Sequence, residues 1–236
     1  IALTCEKGVV CDPFLFVMTE HPNVYLFDLD GTLLDSAPDL AAAANHLREV
    51  RGLTPLPFET LRKTASSGAR GLLGAAFGIH PDDPGYAEMV KEFLDYYEAH
   101  MAEHSHLFEG VPKMIDNIKA QGASWGIITN KHARFVHPLI KFHKLEPAVV
   151  VCGDTLKVSK PNPEPILFAL KSIDAKASEA IYAGDDKRDI DAANGANVFS
   201  VAVKWGYLGS PQPVELWGAD LIVHNPSEIL EIKLTK

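Results

Sequence analysis

The stretch that decides the fold reads Phe27-Asp28-Leu29-Asp30-Gly31-Thr32-Leu33-Leu34-Asp35-Ser36. The apolar run Val24-Tyr25-Leu26-Phe27 before it is typical of a fully buried strand, and Gly31-Thr32 then predicts a turn. Asp28 and Asp30 therefore lie at the carboxyl end of a predicted central strand, where open α/β sheets bind their ligands. Because alternate side chains of an extended chain point to the same side, both carboxylates can face one small site. This geometry suits a nucleophile with an acid/base group beside it.

The composition is that of an ordinary globular chain of 236 residues, with 47% hydrophobic and 22% charged residues. A net charge of −9 argues against nucleic acid as the main partner, and no apolar run is long enough to span a bilayer. We therefore expect no membrane partner, and a monomer or a homodimer. The cysteines Cys5, Cys11 and Cys152 are odd in number and lack metal-type spacing, which favours a reducing, cytoplasmic compartment.

The chain divides into segments of three kinds. Residues 1–17 precede Met18, which stands just before the first predicted strand, and we interpret them as a non-native extension without a role. Residues 38–106 carry apolar positions at helical spacing and no strand signal, which predicts a helical insert. Residues 18–37 and 107–236 are left to form the core.

Within the core, short apolar strands alternate with helical segments. The later strands are predicted at residues 125–130, 149–151, 180–183, 198–203 and 221–223, with helices between most of them and a last helix after Pro226. Pro138 is expected to kink or split the helix that begins at Ala133. Such alternation predicts the α/β class, with a Rossmann-like, mostly parallel sheet covered by helices on both faces, plus the inserted α-helical domain.

Three further strands of the predicted core end in polar loops. Thr129-Asn130 can offer a hydroxyl and backbone N–H groups to a phosphate oxygen at a helix N-terminus. Lys160 lies in a loop, 159–165, that three prolines stiffen, so it has less freedom than an ordinary surface lysine. The loop 184–189 carries clustered carboxylates, which repel one another unless a cation is present, and hard oxygen ligands favour magnesium.

These four loops, in this order, resemble the four motifs of the haloacid dehalogenase-like phosphatases, and specifically the subfamily with a helical cap. The resemblance implies that Asp28 is the nucleophile and forms an aspartyl-phosphate. It implies that Asp30 is the general acid/base, which protonates the leaving group and then activates water. It also implies that Thr129 and Asn130 bind the phosphate, and that Lys160 balances the charges of nucleophile and phosphate.

The same resemblance implies a Mg²⁺ cofactor and its ligands. These are the carboxylate of Asp28, the main-chain carbonyl of Asp30 and the carboxylate of Asp185. Asp189 is expected to act through water or by orienting the lysine of the third motif. For Asp186 two roles stay open, because it can hold a metal-bound water or cap the helix that follows.

Substrate choice is expected to depend on the insert. Arg70 follows the small-residue turn Ser67-Gly68-Ala69, and arginine binds carboxylates bidentately, so Arg70 is a candidate for binding a phosphorylated acid, or else an ordinary arginine on a helix surface. The motifs resemble those of bacterial phosphoglycolate phosphatases and of the related N-acetylmuramic acid 6-phosphate phosphatases. Both substrates are small phosphate esters with a carboxylate, so Arg70 does not choose between them. A sugar phosphomutase and a non-catalytic binding protein on this fold are the remaining alternatives.

Overall fold

A computed structural model describes residues 19–235, and its centre is a six-stranded sheet. The strands of the described part are β1 (Thr19–Glu20), β2 (Val24–Phe27), β3 (Leu34–Asp35), β4 (His106–Leu107), β5 (Ser124–Ile128), β6 (Val149–Val151), β7 (Ala180–Gly184), β8 (Phe199–Val203), β9 (Leu221–Val223) and β10 (Leu234–Thr235). The α-helices are α1 (Ala37–Glu49), α2 (Phe58–Arg62), α3 (Gly68–Phe77), α4 (Tyr86–His100), α5 (Val111–Ala120), α6 (Ala133–Phe142), α7 (Glu164–Ser172) and α8 (Lys187–Gly195).

The sheet has the order β6-β5-β2-β7-β8-β9, and every neighbouring pair in it is parallel. From β2 the chain moves first to β5 and β6 on one side, and later to β7, β8 and β9 on the other. The order therefore reverses beside β2, and ligands of open α/β sheets bind outside the carboxyl ends of the strands at such a reversal. The predicted α/β class with a parallel sheet is confirmed.

Side chains of β2 alternate between two cores, one on each face of the sheet. Tyr25 and Phe27 belong to a large core that continues into the helices before β4, whereas Val24 and Leu26 pack in a second core with α7 and α8. All four are nearly or fully buried. A four-residue apolar run buried on both faces is what a central parallel strand requires, and it places Asp28 at the end of that strand.

The helices α1 to α4 lie between β3 and β4, two short strands that pair antiparallel with each other. We call residues 37–105 the helical insert. Its two connections to the core meet at Asp39, whose buried carboxylate accepts hydrogen bonds from the backbone N–H groups of His104 and Ser105 and from the Ser105 hydroxyl. The predicted limits of this segment, 38–106, fall close to these, and its identity as a separate domain stays a prediction.

Some details differ from the sequence prediction. The segment after Pro226 is a 3₁₀ helix, Pro226–Glu231, rather than an α-helix, and β10 after it pairs antiparallel with β1. Helix α6 runs through Pro138 and is not split there. The proposed extension at residues 1–17 lies outside the described residues. Among the residues described, no helix has the length and apolar character needed to cross a bilayer.

Candidate active site

The predicted catalytic residues of the core converge on one cavity. It has a volume of about 390 Å³ and lies between the carboxyl ends of the central strands and the helical insert. Asp28, Asp30, Thr129, Lys160 and Asp185 all line it. The insert contributes an apolar wall and a turn of small residues, namely Leu40, Phe93, Leu94 and Tyr97, and Ala65, Ser66, Ser67, Gly68 and Ala69. The convergence follows from topology, because the ends of parallel strands meet at one edge of a sheet.

Lys160 is the centre of the polar contacts at the cavity floor. Its Nζ lies 2.6 Å from Asp189 Oδ1 and 3.0 Å from Asp28 Oδ1, and it donates to the Tyr182 hydroxyl at 2.7 Å and to the Ile128 carbonyl at 2.9 Å. The side chain is 3% exposed. Burial alone would lower the pKa of Lys160, but Asp189 and Asp28 outweigh it and hold that pKa above its usual value. Lys160 is therefore a fixed cation.

The carboxylates around this lysine carry uncompensated negative charge. Burial raises the pKa of Asp28 to about 6, a rise that Asp189 and Asp30 add to and Lys160 opposes. Burial, followed by the charges of Asp28 and Asp189, raises the pKa of Asp185 well above its usual value. When all three carboxyl groups are ionised, the one ammonium leaves an excess of two negative charges. Such an excess in a buried cluster indicates that a cation belongs there.

The geometry of the cluster fits a divalent cation. One oxygen from each of Asp28, Asp185 and Asp189 lies within 4.8 Å of the others, and hard cations such as Mg²⁺ and Ca²⁺ prefer oxygen ligands. Of these, Asp189 has the most donors: Oδ1 contacts Lys160 Nζ and the Tyr182 hydroxyl, and Oδ2 accepts from the backbone N–H of Asp186 at 3.0 Å, whereas Asp185 accepts from two donors. Asp28 and Asp185 are better placed to bind an ion, and Asp189 to orient the lysine, which was one of its two predicted roles. The main-chain carbonyl of Asp30, the third predicted ligand, stays a prediction.

Two glycines let the Asp185 carboxylate approach the backbone. Gly31 has a φ of +86°, and a Cβ added there would lie 2.6 Å from Asp185 Oδ1. A Cβ added at Gly206 would lie 2.6 Å from Asp185 Cγ. The carboxylate is held in this space by the Thr32 hydroxyl at 3.1 Å and the backbone N–H of Tyr207 at 2.7 Å. Gly31 is thus required both by its backbone conformation and by the close approach.

Asp30 is held by two side chains to which the sequence analysis gave no role. Lys131 Nζ lies 3.1 Å from Oδ1 and 3.0 Å from Oδ2, and the Ser36 hydroxyl donates a short hydrogen bond to Oδ1. Lys131 also lies over the ring of Tyr97 on α4, with its Nζ 4.8 Å from the ring centroid. Burial alone would lower the pKa of Lys131, but Asp30 and Tyr97 raise it above its usual value. The sequence shows only a lysine after Thr129-Asn130, and no pattern tells where its side chain points.

The two residues predicted to bind phosphate, Thr129 and Asn130, differ in whether their side chains still have a hydrogen-bond donor for it. Thr129 is 4% exposed, and its hydroxyl accepts from the backbone N–H of Lys131 at 3.2 Å. Among the described residues nothing accepts the hydrogen of that hydroxyl, so it can be donated into the cavity. Asn130 binds the backbone of Lys160 twice, as donor to its carbonyl at 2.9 Å and as acceptor from its N–H at 3.0 Å. Its side chain therefore holds the lysine loop in place, and a phosphate contact from it stays a prediction.

Asp186 has the contacts of a helix cap. Its side chain accepts from the backbone N–H of Arg188 in a capping box with Asp189, and it forms an ion pair with the Arg188 guanidinium at 2.8 Å. Burial alone would raise the pKa of Asp186, but Arg188 outweighs it and holds that pKa below its usual value. Arg188 also donates to the carbonyl of Ser66 in the insert at 2.7 Å. A metal-bound water at Asp186 stays a prediction.

Arg70 is apart from the residues that line the cavity. It lies on α3 with an exposed side chain, while the turn just before it, Ser67 to Ala69, does line the cavity. Its predicted contact with a substrate carboxylate has no counterpart among the contacts of the described residues and stays a prediction. A residue absent from the sequence prediction, Tyr207, instead connects the core to the insert: its hydroxyl accepts from the N–H groups of Ser36 and Ala37 at 2.8 and 3.0 Å.

Comparison with known proteins shows which family has this fold and this site. The family model of haloacid dehalogenase-like hydrolases matches residues 25–203, which include every loop that contributes to the cavity floor. The chain belongs to this family.

Individual relatives agree with this assignment. The chain is 38% identical over 209 residues to the N-acetylmuramic acid 6-phosphate phosphatase of Pseudomonas aeruginosa, covering 88% of this chain and 92% of that protein. It is 42% identical over 214 residues to the phosphoglycolate phosphatase of Xanthomonas campestris pv. campestris, covering 89% and 96%. The crystal structure of a predicted phosphoglycolate phosphatase from Haemophilus somnus 129PT is similar, with a TM-score of 0.78, 25% identity and coverage of 89% and 96%. The prediction of a hydrolase of the phosphatase class is confirmed.

Proposed function

We propose that this protein is a Mg²⁺-dependent phosphatase that hydrolyses the phosphate monoester of a small carboxylic acid, in the manner of a phosphoglycolate phosphatase. The observation that carries the proposal is the buried cluster at the cavity floor, in which Lys160 touches Asp28 while Asp185 lies beside them. Asp30 lines the same cavity with its carboxylate partly exposed. A binding protein would need none of these charged groups to be buried together.

In the first step, an oxygen of Asp28 attacks phosphorus. A P–O bond to Asp28 forms as the bond to the ester oxygen breaks, and Asp30 gives its proton to that leaving oxygen. The Thr129 hydroxyl binds a phosphate oxygen and helps to keep the ester in line for attack, while Lys160, in contact with Asp28, balances the charges of nucleophile and phosphate. Asp28, Asp185 and the carbonyl of Asp30 would hold Mg²⁺, which would supply Lewis-acid polarisation of the phosphate when bound.

In the second step, water attacks the aspartyl-phosphate at phosphorus. Asp30, now a carboxylate, takes the proton of that water, the bond from phosphorus to Asp28 breaks, and inorganic phosphate is released. General acid–base catalysis of this kind contributes about 10²–10⁴-fold to a rate. The position of Asp30 therefore matters as much as its chemistry, and the structure gives it polar contacts on both oxygens.

The helical insert acts in this proposal as the cap that covers the cavity and selects the ester. Its apolar wall limits the access of bulk solvent to the cavity, and the amino-terminal turn of α3 lines the same cavity, where the leaving group would lie. A second substrate follows from the size of the cavity. Phosphoglycolate has only roughly nine non-hydrogen atoms, while about 390 Å³ is in the range of cavities that hold drug-sized ligands. The cavity therefore also admits a phosphorylated sugar acid such as N-acetylmuramic acid 6-phosphate.

The decisive experiment measures kcat/KM with Mg²⁺ for 2-phosphoglycolate, for N-acetylmuramic acid 6-phosphate and for a panel of phosphorylated sugars without a carboxylate. A preference of about 100-fold or more for one acid, close to 3 kcal/mol, would identify the substrate class. Equal and slow hydrolysis of all compounds would contradict the proposed preference for a carboxylic acid substrate. Turnover without any divalent cation would contradict the proposed dependence on a metal.

We also propose a location in the cytoplasm and a monomeric or homodimeric state. The buried thiol of Cys152 and the absence of a membrane-spanning helix among the described residues are compatible with that location. Light scattering coupled to gel filtration measures the oligomeric state directly. A tetramer would contradict the proposal.

A further inference from the structure

Lys131 is a buried cation at the boundary between the core and the helical insert. Its side chain is 9% exposed, and its Nζ contacts both oxygens of Asp30 at 3.1 and 3.0 Å. Contact with both oxygens fixes the rotation of the carboxylate as well as its position, since a turn about the terminal bond of Asp30 would lengthen one contact. A surface ion pair would do neither, because exposed pairs are weak and mobile.

The same ammonium group also contacts the insert. The Tyr97 ring of α4 lies with its centroid 4.8 Å from Lys131 Nζ, well within the distance of a cation–π contact. Tyr97 is 1% exposed and is itself fixed by Phe135 of α6, at a centroid distance of 5.4 Å in an edge-to-face arrangement. The lysine therefore contacts both a carboxylate of the core and an aromatic ring of the insert.

We propose that Lys131 is a positioning residue that holds Asp30 in its catalytic orientation, and that the Tyr97 ring of the insert holds Lys131 in that position. The inference rests on the proposed function, because it assumes that Asp30 is the acid/base. Ser36 supports the same carboxylate but belongs to the segment that joins β3 to α1. Lys131 and Tyr97 thus connect the insert to the acid/base group of the core.

The test compares Lys131→Met, Lys131→Arg and Tyr97→Leu with the wild type, and uses p-nitrophenyl phosphate as well as 2-phosphoglycolate. Lys119→Met serves as the matched control, since Lys119 forms an exposed ion pair with Glu146 and does not line the cavity. Two quantities are measured at saturating substrate and Mg²⁺: kcat with KM, and the amplitude of the first, rapid burst of p-nitrophenol. The amplitude counts the enzyme molecules that can form the phosphoenzyme, because that step releases the nitrophenolate.

For Lys131→Met we expect kcat to fall by about 100-fold, at the low end of what general acid–base catalysis supplies, with KM changed by less than about threefold. The burst amplitude of this variant should be near one per active site, because nitrophenolate leaves without a proton, whereas hydrolysis of the phosphoenzyme needs Asp30 and becomes the slow step. Lys131→Arg keeps a cation and should recover at least about a tenth of the wild-type kcat. Lys119→Met should have the wild-type kcat.

For Tyr97→Leu we expect a smaller fall in kcat, about 2- to 30-fold, which matches the range of cation–π contacts. Because Tyr97 acts through Lys131, the double variant should be no slower than Lys131→Met alone. Tyr97→Leu also keeps the proposal testable if Lys131→Met does not fold, since it leaves the lysine in place.

Three results would overturn the inference. One is a kcat of Lys131→Met within about threefold of the wild type. A second is a burst amplitude that falls in proportion to kcat, which would mean that Lys131 only maintains the fold. The third is a raised KM for 2-phosphoglycolate with kcat unchanged, which would make Lys131 a ligand of the substrate carboxylate. A wild type that ignores both phosphorylated acids would instead refute the proposed substrate, and the burst with p-nitrophenyl phosphate would still decide the role of Lys131.

Discussion

Comparing Gly31→Ala with Gly122→Ala separates the free-energy cost of backbone strain from the cost of moving a predicted metal ligand. Gly31 has a φ of +86°, and its new Cβ would lie 2.6 Å from Asp185 Oδ1. Gly122 gives the matched control, because its φ is +74° and no atom lies within 4 Å of the position of a new Cβ. Both alanines are forced into the left-handed region, but only the one at residue 31 displaces a carboxylate.

The strain alone is worth about 1–2 kcal/mol for an L-residue in the left-handed region. In a protein of this size it should lower Tm by about 2–8 °C, which is the whole effect expected for Gly122→Ala. In Gly31→Ala, Asp185 must also leave the Thr32 hydroxyl or the Tyr207 N–H, bonds to a charged group that are worth about 1.5–3 kcal/mol each. In the absence of a metal, part of this loss of stability is offset, because the displaced Asp185 moves away from the negative charges of Asp28 and Asp189. Together with burial, these charges raise the pKa of Asp185.

The difference in thermal stability between Gly31→Ala and Gly122→Ala should therefore be largest when a divalent cation is present. Saturation with a ligand at about 100 times its Kd stabilises a folded protein by about 2.7 kcal/mol. We expect thermal unfolding of the wild type and Gly122→Ala to shift upward on addition of Mg²⁺, and Gly31→Ala to lose this shift along with about 100-fold or more of kcat/KM. A Gly31→Ala protein that keeps both the Mg²⁺-dependent shift and its activity would refute the placement of Asp185 at the metal.

Three further predictions concern single side chains. Asp28→Asn should abolish turnover, as measured by phosphate release from purified protein that mass spectrometry shows to be free of deamidation; ordinary activity would exclude the aspartyl-phosphate. Asp39→Ala removes the acceptor of three donors that join the two connections of the insert, so urea unfolding should show a loss of about 3 kcal/mol or more; a loss below about 1 kcal/mol would contradict that role. Burial raises the pKa of the Cys152 thiol to about 11. At pH 8 only about 0.1% is therefore thiolate, and alkylation by iodoacetamide, followed by peptide mass spectrometry, should be far slower than in the urea-unfolded protein.

The core of the site could be predicted from sequence because its geometry depends on the backbone. Asp28, Thr129, Lys160 and Asp185 each follow a strand or a stiffened loop of a parallel sheet, and the ends of such strands meet at one edge. Strand periodicity was enough to place them together, even though about 157 positions separate Asp28 from Asp185 along the chain. The six parallel strands were found for the same reason.

Side-chain direction is the part that sequence did not predict. Lys131 follows Thr129 and Asn130 in the same loop, yet it points to Asp30, while Asn130 turns back to the loop of Lys160. Arg70 follows a small-residue turn that lines the cavity, and its own side chain is exposed on α3, so a contact with substrate stays a prediction. Each of these side-chain directions depends on packing between segments that are far apart in the chain, so no local sequence pattern predicts it.

The contrast between core and insert bears on how the substrate is to be found. Relatives with 38% and 42% identity carry different substrate names, so overall identity does not select between phosphoglycolate and N-acetylmuramic acid 6-phosphate. In the proposed mechanism, Asp28, Lys160 and Asp185 at the cavity floor act on the phosphate group, which all the candidate esters share. Discrimination must come from the wall around the leaving group, where Phe93 and the turn before α3 line the cavity. If that wall selects the ester, enlarging it by Phe93→Ala should change kcat/KM for the two acids by different factors, while the burst with p-nitrophenyl phosphate keeps its amplitude. Equal changes for both acids would mean that the core, and not the insert, chooses the substrate.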